Sequence, residues 1–151
     1  MIIWMSRSPG ATKRMAGRIL KRVLKTKAGP AVLALSGKLG SGKTTFIQGL
    51  AASLGIREKV QSPTFVLMKW YKLPRRAGLP RHLVHIDAYR LESLAEAKHL
   101  GLREAFRDRD AIVVVEWADR IMKLIPHDAV WIQFKHGKRT RERIITLKHV
   151  S

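Results

Sequence analysis

Cysteine is absent from this chain. Structural disulfides, Cys-ligated zinc and iron–sulfur clusters are therefore excluded, and a reducing, cytoplasmic setting fits. Long apolar runs are missing too. The longest, Ala31–Leu35 and Ala111–Val115, fall far short of the roughly 20 residues that span a bilayer. The apolar stretch before Arg7 is shorter than a signal-peptide core, so no membrane partner is expected. Acidic side chains are scarce: 11 Asp and Glu stand against 30 Lys and Arg, a net charge of +19. The first acid is Glu58, so residues 1–57 hold 11 basic side chains and no acidic one. A chain this basic attracts polyanions in a salt-dependent way. Repeats, low-complexity tracts and linkers are also lacking. With 151 residues, 46% of them hydrophobic, residues 1–151 are expected to form one domain.

The order of local patterns predicts an α/β domain. Residues 2–5 read as a short strand, followed by a turn at Ser8-Pro9-Gly10-Ala11 with Thr12 as N-cap. From Lys13 to about Lys27, apolar pairs recur at helical spacing, ending at Gly29-Pro30. Ala31–Ser36 is a buried strand, and a helix follows from about Lys43 to Leu54. Strands are expected at Val66–Lys72, Leu83–Ile86, Ile112–Val115, Ala129–Phe134 and Arg143–Lys148, the last two joined through His136-Gly137-Lys138. Leu94–Phe106 reads as a helix interrupted at Gly101, and residues 74–80 as a basic loop. Strands alternating with helices indicate an α/β domain with a largely parallel sheet.

Gly37-Lys38-Leu39-Gly40-Ser41-Gly42-Lys43-Thr44 fits the phosphate-binding pattern G-x-x-x-x-G-K-[ST], with a strand before it and a helix after it. The glycines let the backbone wrap closely around phosphates, and the helix that starts there adds its positive dipole end. Lys43 is expected to reach the β- and γ-phosphates of ATP, and the Thr44 hydroxyl to ligate Mg2+. Chance alone would produce the four fixed positions in a chain of this length only about once in a few hundred sequences.

A P-loop needs a carboxylate at the end of a neighbouring strand. Glu116 closes the more apolar strand and is the better metal-side acid. Asp87 closes Leu83–Ile86 and then orders water or binds the metal through water. His82 and His85 point to opposite faces of one strand and make a poor chelate. His85 shares a face with Asp87, and reads either as an orienting partner of that carboxylate or as an ordinary half-buried histidine.

With these residues in view, the chain resembles the TsaE (YjeE) family of ATPases from bacterial tRNA threonylcarbamoyladenosine synthesis. The likeness spans residues 8–145. It rests on Ser8-Pro9-Gly10-Ala11-Thr12, on Gly37–Thr44 with Thr45-Phe46, and on Ser62-Pro63-Thr64-Phe65. It continues through His85-Ile86-Asp87-Ala88-Tyr89-Arg90-Leu91, Leu100-Gly101 and Val115-Glu116-Trp117-Ala118. The P-loop alone would name a superfamily; the ordered set is far more specific.

The P-loop and the resemblance together imply a P-loop NTPase-like three-layer domain, with a central, largely parallel sheet and antiparallel additions, acting as a small Mg2+-dependent ATPase, weakly active alone, that serves a complex of TsaD and TsaB. Lys43, Asp87 and Glu116 would be catalytic. Thr12, Gly37, Leu39, Gly40, Ser41, Gly42, Lys43, Thr44 and Thr45 would hold ATP, and Thr44 and Glu116 the metal. Ser62, Pro63, Thr64, Phe65, Tyr89, Arg90 and Trp117 would form switch-like segments. The tRNA contact would be indirect, or made through the basic surface. Two other readings are open: a P-loop small-molecule kinase, with Arg75, Arg76 and Arg81 posing as a lid, and a basic nucleic-acid-binding module.

Overall fold

The computed structural model describes residues 1–63 and 67–148. Seven strands form one sheet: β1 Ile2–Ser6, β2 Ala31–Gly37, β3 Met68–Lys72, β4 His82–Asp87, β5 Ala111–Glu116, β6 Val130–His136 and β7 Arg143–Lys148. Their order across the sheet is β1-β7-β6-β2-β5-β4-β3. The middle four, β6-β2-β5-β4, are mutually parallel. The antiparallel additions are β3 on one side and the β6–β7 hairpin with β1 on the other. This is the expected largely parallel sheet with antiparallel edges.

The central strands are apolar on both faces because helices cover both. On one face, Leu33, Leu35, Ile112, Val114, Ile132 and Phe134 pack under α1, Pro9–Thr26, and α2, Lys43–Ser53. Phe46 of α2 meets Phe134 edge-on, with ring centroids 5.3 Å apart. On the other face, Val32, Ala34, Val84, Ile86, Val113 and Val115 pack against α3, Leu94–His99, α4, Leu102–Arg107, and a 3-10 helix, Ala118–Leu124.

Two features differ from the sequence reading. Helix α1 begins at Pro9, not at Lys13, and its N-cap is Ser8, whose hydroxyl accepts from the Ala11 N–H at 3.0 Å. Proline at the first helical position has no N–H to waste and a preset φ, so Ser8-Pro9 starts the helix where a turn was expected. Thr12 is therefore no cap. It is buried one turn into the helix, 2.7 Å from the Ser6 hydroxyl. The helix over residues 94–106 is split by Gly101 at φ 80°, as its sequence foretold. The 3-10 helix after β5 had no periodic signal. Val66, the expected start of β3, lies outside the described residues.

Among the described residues no helix is long and apolar enough to cross a membrane. Most candidates gather at the C-terminal ends of the parallel strands, where loops of such sheets meet ligands; Thr12 joins them from the start of α1.

Candidate functional site

The loop between β2 and α2 forms a cradle. Gly37 has φ 147° and lies so close to β6 that a Cβ would sit 2.5 Å from the Phe134 carbonyl oxygen. Gly42 caps α2 at φ 104°. Both positions require glycine. The loop borders a cavity of about 390 Å3. Of the residues proposed from sequence, Thr12, Leu39, Gly40, Ser41, Gly42, Lys43, Thr44, Thr45, Ser62, Asp87, Tyr89, Arg90, Glu116 and Trp117 line it. Gly37 and Pro63 do not line it. Thr64 and Phe65 lie outside the described residues.

Lys43 is folded back onto its own loop. Its Nζ donates to the carbonyl oxygens of Gly37 at 2.6 Å and Lys38 at 3.0 Å, and stands 4.2 Å over the Trp117 ring. Burial pushes its pKa below the ordinary 10.5, while Glu116, Asp119 and Asp87 oppose that shift. A buried ammonium held by neutral carbonyls, the Ser41 hydroxyl at 3.4 Å and a ring is primed to exchange them for an anion.

Asp87 and Glu116 end adjacent parallel strands and are in direct register. Glu116 shares a strand face with Ile112 and Val114, and Asp87 with Leu83, all of the core under α2, so both carboxylates face the cradle. Both are 3% exposed. Glu116 accepts from the Thr44 hydroxyl at 2.9 Å and from His85 Nε2 at 2.8 Å. The Ser62 Oγ lies 2.7 Å from Glu116 and 2.7 Å from Asp87. One hydroxyl carries one proton, so it serves only one of the two carboxylates at a time. Asp87 also accepts the Tyr89 backbone N–H at 2.9 Å. Burial alone would push the Glu116 carboxyl up, but the hydrogen bond and charge of His85, with Ser62 and Thr44, hold it below the usual 4.5.

His85 corrects an expectation. It is fully buried, and its partner is Glu116 rather than Asp87. In the β4–β5 register His85 stands opposite Val114, one pleat before Glu116, so its ring reaches diagonally across the strand pair. With Nε2 on the carboxylate, Nδ1 is left without a partner among the described residues. Neither half of the sequence reading, orienting Asp87 or half-buried, describes it.

Tyr89 and Trp117 line the cavity, and Trp117 also packs half-buried against the core. Their rings meet at 4.8 Å, Arg120 stacks on Tyr89 at 4.7 Å, and Tyr89 is 44% exposed. Trp117 adopts φ 56°, a costly conformation for a bulky side chain that persists where the surroundings enforce it. Sequence reasoning missed Arg141 and Arg143, which line the cavity from the β6–β7 hairpin. In a chain with 30 basic residues nothing marked these two out. The basic loop 74–81 is not a lid: Arg81 and His82 bond to the Asp110 carbonyl, at the sheet end opposite the cradle.

The donor set suits Mg2+. It offers a hydroxyl and carboxylate oxygens, hard ligands all. Among the described residues no cluster of three or more His, Cys, Asp or Glu side chains could hold a metal unaided.

Known proteins carry the same organisation. The family described as "Threonylcarbamoyl adenosine biosynthesis protein TsaE" matches residues 6–145. The tRNA threonylcarbamoyladenosine biosynthesis protein TsaE of Bacillus subtilis is 39% identical, over 95% of this chain and 84% of the relative. That of Treponema pallidum is 36% identical, over 87% and 89%. The crystal structure of Bacillus subtilis YdiB superposes with a TM-score of 0.75 at 33% identity, covering 99% of this chain and 86% of that one. The cradle, the paired strand-end carboxylates and these matches over nearly the whole length lead to one conclusion: the chain belongs to the TsaE family.

Proposed function

We propose that this protein binds Mg2+-ATP and hydrolyses it in support of tRNA threonylcarbamoyladenosine formation by a TsaD–TsaB complex. The observation that carries the reading is the network Thr44–Glu116–Ser62–Asp87, closed at the open end of the cradle.

The chain's own residues divide the work. Backbone N–H groups of residues 40–44 and the α2 dipole hold the phosphates. Lys43 leaves the Gly37 and Lys38 carbonyls to pair with the terminal phosphates. Thr44 and Glu116 would hold Mg2+, which when bound neutralises charge developing on the β- and γ-oxygens. Asp87, fixed by the Tyr89 N–H, is placed to orient the attacking water. His85 keeps Glu116 ionised and aimed. The closed Thr44–Glu116 bond must open for the metal, so the carboxylate and hydroxyl are held ready but mutually satisfied before it arrives.

The kinase reading loses its lid, because loop 74–81 lies away from the cavity. The test compares three proteins in ATP binding and hydrolysis, with and without TsaB–TsaD from the same source. The unaltered protein should be stimulated by the complex. Lys43→Ala should abolish binding. Glu116→Ala should retain much of the binding yet lose at least about 100-fold in turnover, the scale of losing one preorganised charge contact. Normal hydrolysis by both variants would sink the assignment.

A further inference from the structure

Helix α1 presents a line of positive charge that the nucleotide site does not use. Arg14, Arg18, Lys21, Arg22 and Lys25 are all exposed. At 100° per residue they fall within an arc of about 100°, and from first to last they extend about 17 Å along the axis. Among the described residues none of the five pairs with an acid, whereas neighbouring Lys27 is paired with Asp128.

The stripe works against the helix that bears it. Arg14 and Arg18, Arg18 and Arg22, and Lys21 and Lys25 are like-charge neighbours at i,i+4, each pair destabilising. The helix has no acidic residue in its first turn to offset the row. Charge held in a self-repelling row, one end beside the ATP cavity that Ser8, Pro9 and Thr12 line, points to an external polyanion.

The chemistry selects among polyanions. An anionic membrane would need an apolar face to insert, but Ala16, Ile19, Leu20 and Val23 are at most 3% exposed, sealed on the sheet. The face carries no aromatic ring for base stacking. Arg and Lys steps of three or four residues suit the repeating charges of a phosphodiester backbone.

We infer that the α1 stripe is a docking surface for the sugar–phosphate backbone of RNA, without sequence readout. The choice of RNA rests on the tRNA-modification reading; the presence of a nucleic-acid surface does not depend on ATP hydrolysis.

The test measures binding of a labelled tRNA transcript across KCl concentrations, with ATP hydrolysis assayed separately on the same samples. Each phosphate contact contributes about 0.7 to 0.9 to the slope of log affinity against log salt. The triple variant K21Q/R22Q/K25Q should lower that slope by about 2 to 3 while hydrolysing ATP normally. Arg18→Gln and Arg22→Gln alone should each lower it by just under one, which keeps the test open if the triple variant does not fold. R103Q/R107Q/R109Q, on and beside α4 on the opposite face of the sheet, should leave it unchanged. An unaltered slope in the α1 variants overturns the inference, and so does loss of binding in the α4-face variant alone. Equal competition by polyglutamate would put an acidic protein on the stripe. Equal retention by phosphatidylserine vesicles would put a membrane there. Either overturns it. A dead ATPase whose RNA binding still follows the stripe would sink the nucleotide reading and leave this one standing.

Discussion

Two helical glycines carry the same substitution to opposite ends. Gly17 in α1 and Gly49 in α2 are both mid-helix, so replacing either with alanine gains up to about 1 kcal/mol of helix propensity. Their surroundings differ. A Cβ on Gly17 would meet the Ser53 Cβ at 3.4 Å, an ordinary contact. A Cβ on Gly49 would meet the Lys13 Cα at 2.5 Å and the Lys13 carbonyl oxygen at 2.6 Å. Backbone cannot rotate away as a side chain can, so α1 must retreat from α2 by about 0.9 Å to restore a 3.4 Å contact. That retreat loosens Ala16, Ile19 and Leu20 on the core. Overpacking of this kind costs about 3 kcal/mol at the upper end, which leaves Gly49→Ala destabilised by about 2 kcal/mol after the propensity gain. For a chain of this size the melting point should fall by about 4–8 °C. Gly17→Ala should rise by about 1–4 °C. Urea unfolding of both, with unchanged slopes, checks the energies. If the two variants shift the same way, or differ by less than about 1 kcal/mol, the close approach of α1 and α2 does not set the packing as argued.

Two further outcomes follow from the site. Glu116 is held below 4.5 in the folded chain; its anion therefore stabilises the fold above that pH, and the contribution fades as pH falls through the depressed value. The stability difference between the parent and Glu116→Gln should shrink between pH 6 and pH 3 in denaturant titrations, and a constant difference would refute the assignment. Lys43 stands over Trp117, so ATP should change tryptophan emission by drawing the ammonium away. Trp117→Phe should erase that change while keeping affinity within a few-fold, measured by calorimetry; an identical signal in the variant would exclude Trp117 as its source.

Much of this was legible in the sequence, for identifiable reasons. The buried strands announced themselves by unbroken β-branched runs, as in Ile112–Val115, and Gly101 marked its own helix break. The cradle was readable because Gly37 and Gly42 hold backbone angles that favour glycine. The meeting of Asp87 and Glu116 at one cavity was readable because each closes an apolar strand run. The His85–Glu116 contact was not, since it depends on a diagonal between two parallel strands whose register no local pattern encodes. Arg141 and Arg143 were hidden by the chain's general basicity. The Thr12 cap failed because Pro9 moved the helix start by one turn.

The strand order has a kinetic side. β2, which carries the cradle, finds its neighbours in β5 and β6, strands that begin 80 and 99 residues downstream of its own first residue. A nascent chain leaving the ribosome therefore exposes the phosphate loop long before anything can hold it, and closing such distant pairings is slow. Nucleotide affinity should appear late and all at once during synthesis, when β6 has emerged, and the intervening chain is the stretch in most need of chaperone cover.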